Sequence, residues 1–110
     1  MELQIKGKNL EVSETMRTFA ERKLAKLGKL THPSTRVELE LSVEKNPSVA
    51  ANQIAEATVW LKGKTLRCKQ ASRDMKASID ELTEKLHREL ADLRDKKVSK
   101  RRVLPVETPQ

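Results

Sequence analysis

Apolar and polar positions follow two periods along this chain, and the switches between them mark its elements. Leu3 and Ile5 alternate with polar neighbours in ELQIK, which predicts a short strand. GKN then turns the chain. Ser13 is placed to cap a helix, with Glu14 in a first turn where negative charge suits the dipole. Met16, Ala20, Leu24 and Leu27 follow at helical spacing, with Phe19 at the edge of the stripe, and the helix is expected to end between Gly28 and Pro33. RVELELSVEK returns to strict alternation: Val37, Leu39, Leu41 and Val43 face one way, and Arg36, Glu38, Glu40, Ser42 and Glu44 the other. After NPSVAANQ, the runs AEATVWLK and TLRCKQA read as two strands joined tightly at Lys62-Gly63-Lys64. Ala55, Ala57, Val59 and Leu61 form an inner face, joined by Leu66 and Cys68. A last helix starts near Ser72 to Asp74, with the stripe Met75, Ile79, Leu82, Leu86, Leu90 and Leu93.

The predicted order is β-α-β-β-β-α. Each strand has one apolar face and each helix one stripe. The economical arrangement is an α+β two-layer sandwich: one mixed four-stranded sheet with both helices on one face. The other face would carry Glu38, Glu40, Glu56, Thr58, Trp60, Arg67 and Lys69. VLPVETPQ has two prolines and no periodicity, so residues 1–97 are expected to form the domain and residues 98–110 a basic tail or the disordered start of a linker.

Charge adds a partner class. The chain of 110 residues carries a net charge of +7. From Arg94 to Arg102 six Lys/Arg face one Asp, so +5 of the +7 lies in that stretch. A polyanion would relieve the repulsion there and release counterions, which points to nucleic acid before an anionic membrane. No apolar run is long enough to span a bilayer, and the N-terminus lacks the pattern of a signal peptide. Cys68 is the single cysteine, which fits a reducing, cytoplasmic setting.

Catalytic chemistry finds little support. His32 and His87 form no metal-ligand pair, and no glycine-rich phosphate loop is present. Cys68 alternates with Arg67 and Lys69 and is expected to point inward as a packing residue. No cofactor, metal or small-molecule substrate is expected. Base stacking needs a platform of aromatics, and Phe19 and Trp60 are the only two in the chain, so RNA contact should run through phosphate and sugar. On the first helix Arg22, Lys26 and Lys29 line the face opposite Leu24 and Leu27, while Lys23 flanks the stripe. On the last helix Lys85, Arg88 and Lys96 share the exposed side. Glu81–Lys85, Glu84–Arg88 and Asp92–Lys96 have the spacing of helix-stabilising ion pairs, so these charges alone fit solvation as well as binding.

The chain resembles the ribosome hibernation promoting factors, also called the ribosome-associated inhibitor or light-repressed protein family. The likeness runs from about Leu3 to Arg102. It is carried by IKGKNLEVSE, RKLAKLGKL, AEATVWLKG with the following LR, and DMKASIDELTEKLHREL. The resemblance implies a β-α-β-β-β-α fold similar to double-stranded RNA-binding domains and no enzymatic activity. It also implies binding to the small ribosomal subunit at the decoding channel, where mRNA and tRNA are blocked under stress or in stationary phase. The rRNA-contacting positions it implies are Lys23, Lys26 and Lys29, then Lys85 and Arg88, then Lys96, Lys100 and Arg101. Arg94, Lys97 and Arg102 join them as neighbouring basic positions. Where many members have an aromatic after the Asp-Met pair this chain has Lys76, and it has Ala91 and Asp92 where many are basic. Long members continue through a linker into a dimerising domain. The chain is expected to be either a short form or the N-terminal domain of a long one; the basic run followed by VLPVETPQ favours the second, with any dimerisation then outside this chain. The rival expectations are a general double-stranded RNA binder and a protein-interaction module using the outer sheet face.

Overall fold

The computed structural model describes the backbone of residues 1–107 and the side chains of residues 1–95. Four strands, β1 (Glu2–Gly7), β2 (Arg36–Val43), β3 (Gln53–Leu61) and β4 (Lys64–Ser72), form one sheet in the order β1-β2-β3-β4. β1 runs parallel to β2, and the other neighbours are antiparallel. The helices are α1 (Glu14–Leu24) and α2 (Met75–Glu107). Both pack on one face, as the single-sided alternation of the strands requires.

The register shows how the pattern closes the core. Val37 pairs with Val59, Leu39 with Ala57 and Leu41 with Ala55, so the inward residues of neighbouring strands sit side by side. Ala55 and Ala57 leave room on β3 for α2, whose Ile79, Leu82 and Leu86 are fully buried above the sheet. Burying one such side chain contributes about 1.5–3 kcal/mol. The expected inward set needs one correction. Val43 is 37% exposed, because it lies at the last residue of β2, where the helix layer no longer covers the sheet.

Polar atoms fix the ends of the helices. The Ser13 hydroxyl accepts from Met16 N at 3.2 Å and caps α1. Asp74 Oδ2 accepts from Ala77 N at 3.3 Å at the start of α2. The buried Ser78 hydroxyl donates to Gln53 O at 2.6 Å, tying that start to the beginning of β3. Gly7 closes β1, because a Cβ there would stand 1.9 Å from Leu10 O. In the β3–β4 turn Gly63 takes φ +75°, a left-handed value that glycine adopts without the steric cost of a side chain.

The first helix departs from expectation past Leu24. Residues Ala25–Leu30 tighten into a 3₁₀ segment, and Thr31 Oγ1 donates to Leu27 O at 3.0 Å where a continuing α-helix would supply an amide. Leu27 remains fully buried. At the other end of the chain α2 runs on to Glu107, so the expected boundary between residues 97 and 98 falls inside it.

Candidate nucleic-acid interface

The 3₁₀ segment changes how the first group of cations is presented. In a 3₁₀ helix positions three apart eclipse one another. Lys26 and Lys29 therefore stack in one exposed column, while Leu27 and Leu30 turn to the core. Arg94 Nη1 lies 3.4 Å from Lys29 O, a long contact that brings the far part of α2 to a carbonyl left open at the end of the segment. Lys26, Lys29 and Arg94 thus share one end of the helix layer.

Lys23 is used differently. Its Nζ lies 3.1 Å from Asp80 Oδ1 and 5.6 Å from the centre of the Phe19 ring, with the side chain 29% exposed. It clasps α1 to α2. Lys76 approaches the same ring at 5.5 Å, so Phe19 lies between two cations.

Lys85 and Arg88 lie on the other flank of α2, toward β4. Glu81 accepts from Gln70 Nε2 on β4 at 3.2 Å, and Arg88, seven residues on, falls on the same stripe as Glu81. Arg94 is a further six residues along, about 240° around the helix at 3.6 residues per turn. Both Lys85 and Arg88 are exposed. Among the described residues neither joins an ion pair, although the spacing of Glu81–Lys85 and Glu84–Arg88 had suggested such pairs. These two cations are left available to an external anion. The side chains of Lys96, Lys97, Lys100, Arg101 and Arg102 lie outside the described residues.

The fold adds two cations that the sequence pattern did not single out. The turn between β3 and β4 carries exposed Lys62 and Lys64. A cavity of about 340 Å³ lies between that turn and α2, and its walls include Lys62, Lys64, Arg94 and His32. The only sequence signal was two lysines around a glycine, which reads as an ordinary turn. What it abuts depends on the packing of α2.

Cys68 is 3% exposed and its Sγ donates to Glu89 Oε2 at 2.6 Å. Burial first, then this hydrogen bond and the adjacent carboxylate, push its pKa from 9.0 up to about 12, partly opposed by Lys85. The thiol stays protonated at neutral pH and is a poor nucleophile. Among the described residues no group of three His, Cys, Asp or Glu is placed to hold a metal ion, and no helix is long and apolar enough to cross a membrane.

Comparison with known proteins joins this geometry to a family. The model of the Sigma 54 modulation protein / S30EA ribosomal protein family matches residues 3–98. A ribosome hibernation promotion factor from Picosynechococcus sp. is 33% identical over 102 residues, which cover 92% of this chain and 53% of the relative. The chain thus spans about half the length of that relative. The ribosome hibernation promoting factor of Salmonella typhimurium is 35% identical over 96 residues, covering 87% of this chain and 96% of the other. The crystal structure of the Thermus thermophilus Protein Y N-terminal domain superposes with a TM-score of 0.72 at 26% identity, over 84% of this chain and 99% of that one. A ribosomal subunit interface protein from Coxiella burnetii shares the fold, with a TM-score of 0.71 at 24% identity over 86% of this chain and 99% of that one. Since the family model spans nearly the whole folded unit and relatives of about one-third identity extend over the same residues, this chain belongs to the ribosome hibernation promoting factor family, which is not enzymatic.

Proposed function

We propose that this protein is a ribosome hibernation factor that binds the small ribosomal subunit at the decoding channel. Lying there, it blocks mRNA and tRNA sterically and so inhibits translation under stress or in stationary phase. The observation that carries the reading is the set of exposed helix-layer cations, Lys26, Lys85 and Arg88, that reach no carboxylate among the described residues, in a chain whose relatives are named for ribosome hibernation. Lys29 and Arg94 extend that set at the end of the layer, and Lys96, Lys97, Lys100, Arg101 and Arg102 continue it along the chain. The contacts are mainly to rRNA phosphate, because the two aromatics are engaged by cations: Phe19 with Lys23 and Lys76, and Trp60 with Arg36 at 4.5 Å. The binding unit is residues 1–97, and the stretch 98–110, into which α2 continues as far as Glu107, is its basic tail. The protein works in the cytoplasm.

The experiment is sucrose-gradient co-sedimentation with ribosomes, comparing wild type with Lys85→Glu/Arg88→Glu, with and without mRNA and initiator tRNA. Wild type should travel with the small subunit, and both the double variant and the added ligands should displace it. Wild type remaining at the top of the gradient at low salt would overturn the proposal. A preference for any long RNA duplex over the subunit would instead mark a general double-stranded RNA binder.

A further inference from the structure

We infer that the β3–β4 turn is a separate RNA-contacting element, and that the groove between it and α2 seats a stretch of ribose–phosphate backbone. The inference rests on the ribosome-binding reading and deepens it.

The groove, about 340 Å³, has an aliphatic floor that includes Leu61 and Leu93 and a rim of Lys62, Lys64, Arg94 and His32. Among the described residues no carboxylate lines it, and neither Lys62 nor Lys64 joins an ion pair. This is uncommon in a chain with 16 Asp and Glu. The groove near the opposite end of β2 and β3, by contrast, has Lys8 and Lys45 interleaved with Glu40, Glu44 and Glu56. His32 adds a donor to the rim. Its Nδ1 accepts from Ser34 N at 3.1 Å, so the neutral ring carries its proton on Nε2. An apolar floor between cationic banks matches a sugar's C–H face with phosphates to either side. It does not suit a stacked base, because no aromatic lines the floor.

Tertiary structure creates this site. Lys62 and Lys64 lie about thirty positions before Arg94 in sequence, and they meet it because β3 and β4 pair with Leu61 opposite Lys64 while α2 crosses above them. The contact also lengthens the proposed footprint beyond the two helices.

The test is ribosome binding measured from low to moderate salt for wild type, Lys62→Glu/Lys64→Glu and Lys8→Glu/Lys45→Glu. The two variants change net charge equally, and both alter exposed residues outside the core. Loss of two phosphate contacts should flatten the log–log salt slope by about 1.4–1.8 and weaken low-salt binding by roughly tenfold or more. The Lys8/Lys45 variant should keep the wild-type slope. UV cross-linking of the wild-type complex should leave nucleotide adducts on Lys62 or Lys64. Identical slopes for wild type and Lys62→Glu/Lys64→Glu would overturn the groove while leaving the ribosome reading standing. Equal weakening by both variants would reduce the effect to net charge and also overturn it, as would adducts confined to the helices. If wild type itself did not bind ribosomes, both proposals would fall together.

Discussion

On the outer face of the sheet, Lys6 lies 3.3 Å from Glu38 and 3.7 Å from Glu40, and Arg36 covers Trp60 at 4.5 Å. Across the core, on the helix layer, Lys26, Lys85 and Arg88 reach no carboxylate among the described residues. The two regions use the same residue types. They differ in whether a cation has already met an acid within its own surface. Cross-strand register sets Lys6 opposite Glu40 and Glu56 opposite Lys69, so charges on the sheet face largely answer one another. On α2, Glu81, which matches Lys85 by spacing, is drawn instead to Gln70 on β4, and Glu89, four residues past Lys85, accepts from Cys68. A binding surface for a polyanion is marked by unanswered positive charge more than by the number of lysines.

The largest expected effect is that of salt. If the helix layer makes about six or more phosphate contacts, ribosome affinity should drop by about three orders of magnitude or more between 50 and 200 mM salt, as read by sedimentation or filter binding. A flat response would erase the distinction between the two faces. Charge reversal comes next. Lys26→Glu/Lys29→Glu should weaken low-salt binding at least about tenfold, whereas Lys6→Glu/Lys69→Glu, with the same change in net charge, should stay within roughly threefold of wild type. Equal losses would mean that long-range field, and not local contact, drives association.

A smaller effect separates Lys23 from its neighbours. Asp80→Ala removes the carboxylate that Lys23 holds, an interaction between partly exposed side chains. It should cost under about 1 kcal/mol in denaturant unfolding, with ribosome binding unchanged or slightly tighter as Lys23 is released. A clear loss of binding would show that the clasp positions the interface.

The smallest effect concerns Cys68, which marks where the sheet meets α2. Its folded pKa is raised from 9.0 to about 12. Below about pH 9 the thiol is protonated in both states and its contribution is fully present. As pH climbs from 9 toward 12 the unfolded chain releases the proton first, so that contribution declines. Thermal unfolding across this range should show the decline in wild type and a shallower one in Cys68→Ala. At pH 8 iodoacetamide should alkylate the native protein far more slowly than the unfolded chain. Rapid native alkylation would remove the buried Cys68–Glu89 contact from this account.

Much of the fold could be read from the chain because its pattern is local. RVELELSV alternates without interruption, and only one face of the resulting strand can be buried. The helix stripe from Met75 to Leu90 likewise admits one buried side. The readings that changed fell where local pattern was weak. Val43 continues the alternation but sits where the helix layer stops. Lys26 and Lys29 were spaced for an α-helix, yet the chain tightens to a 3₁₀ turn there, with the Thr31 hydroxyl donating to the Leu27 carbonyl. Glu81 and Lys85 match by spacing on α2, but Gln70 competes from strand β4.

The order of elements, the composition of the core and the basic, polyanion-seeking character were legible in the chain, because they follow from periods of two and 3.6 residues and from net charge. The family was legible too, through the residue motifs it shares with its relatives and not through period or charge. Packing of remote elements settled which cations stay free and which are spent on internal partners. It placed Lys23 on Asp80, brought Arg94 to the Lys29 carbonyl, and carried Lys62 and Lys64 to the groove beside Arg94. Charge acts through distance, and distances between residues remote in sequence exist only once the sheet has paired and the helices have packed upon it.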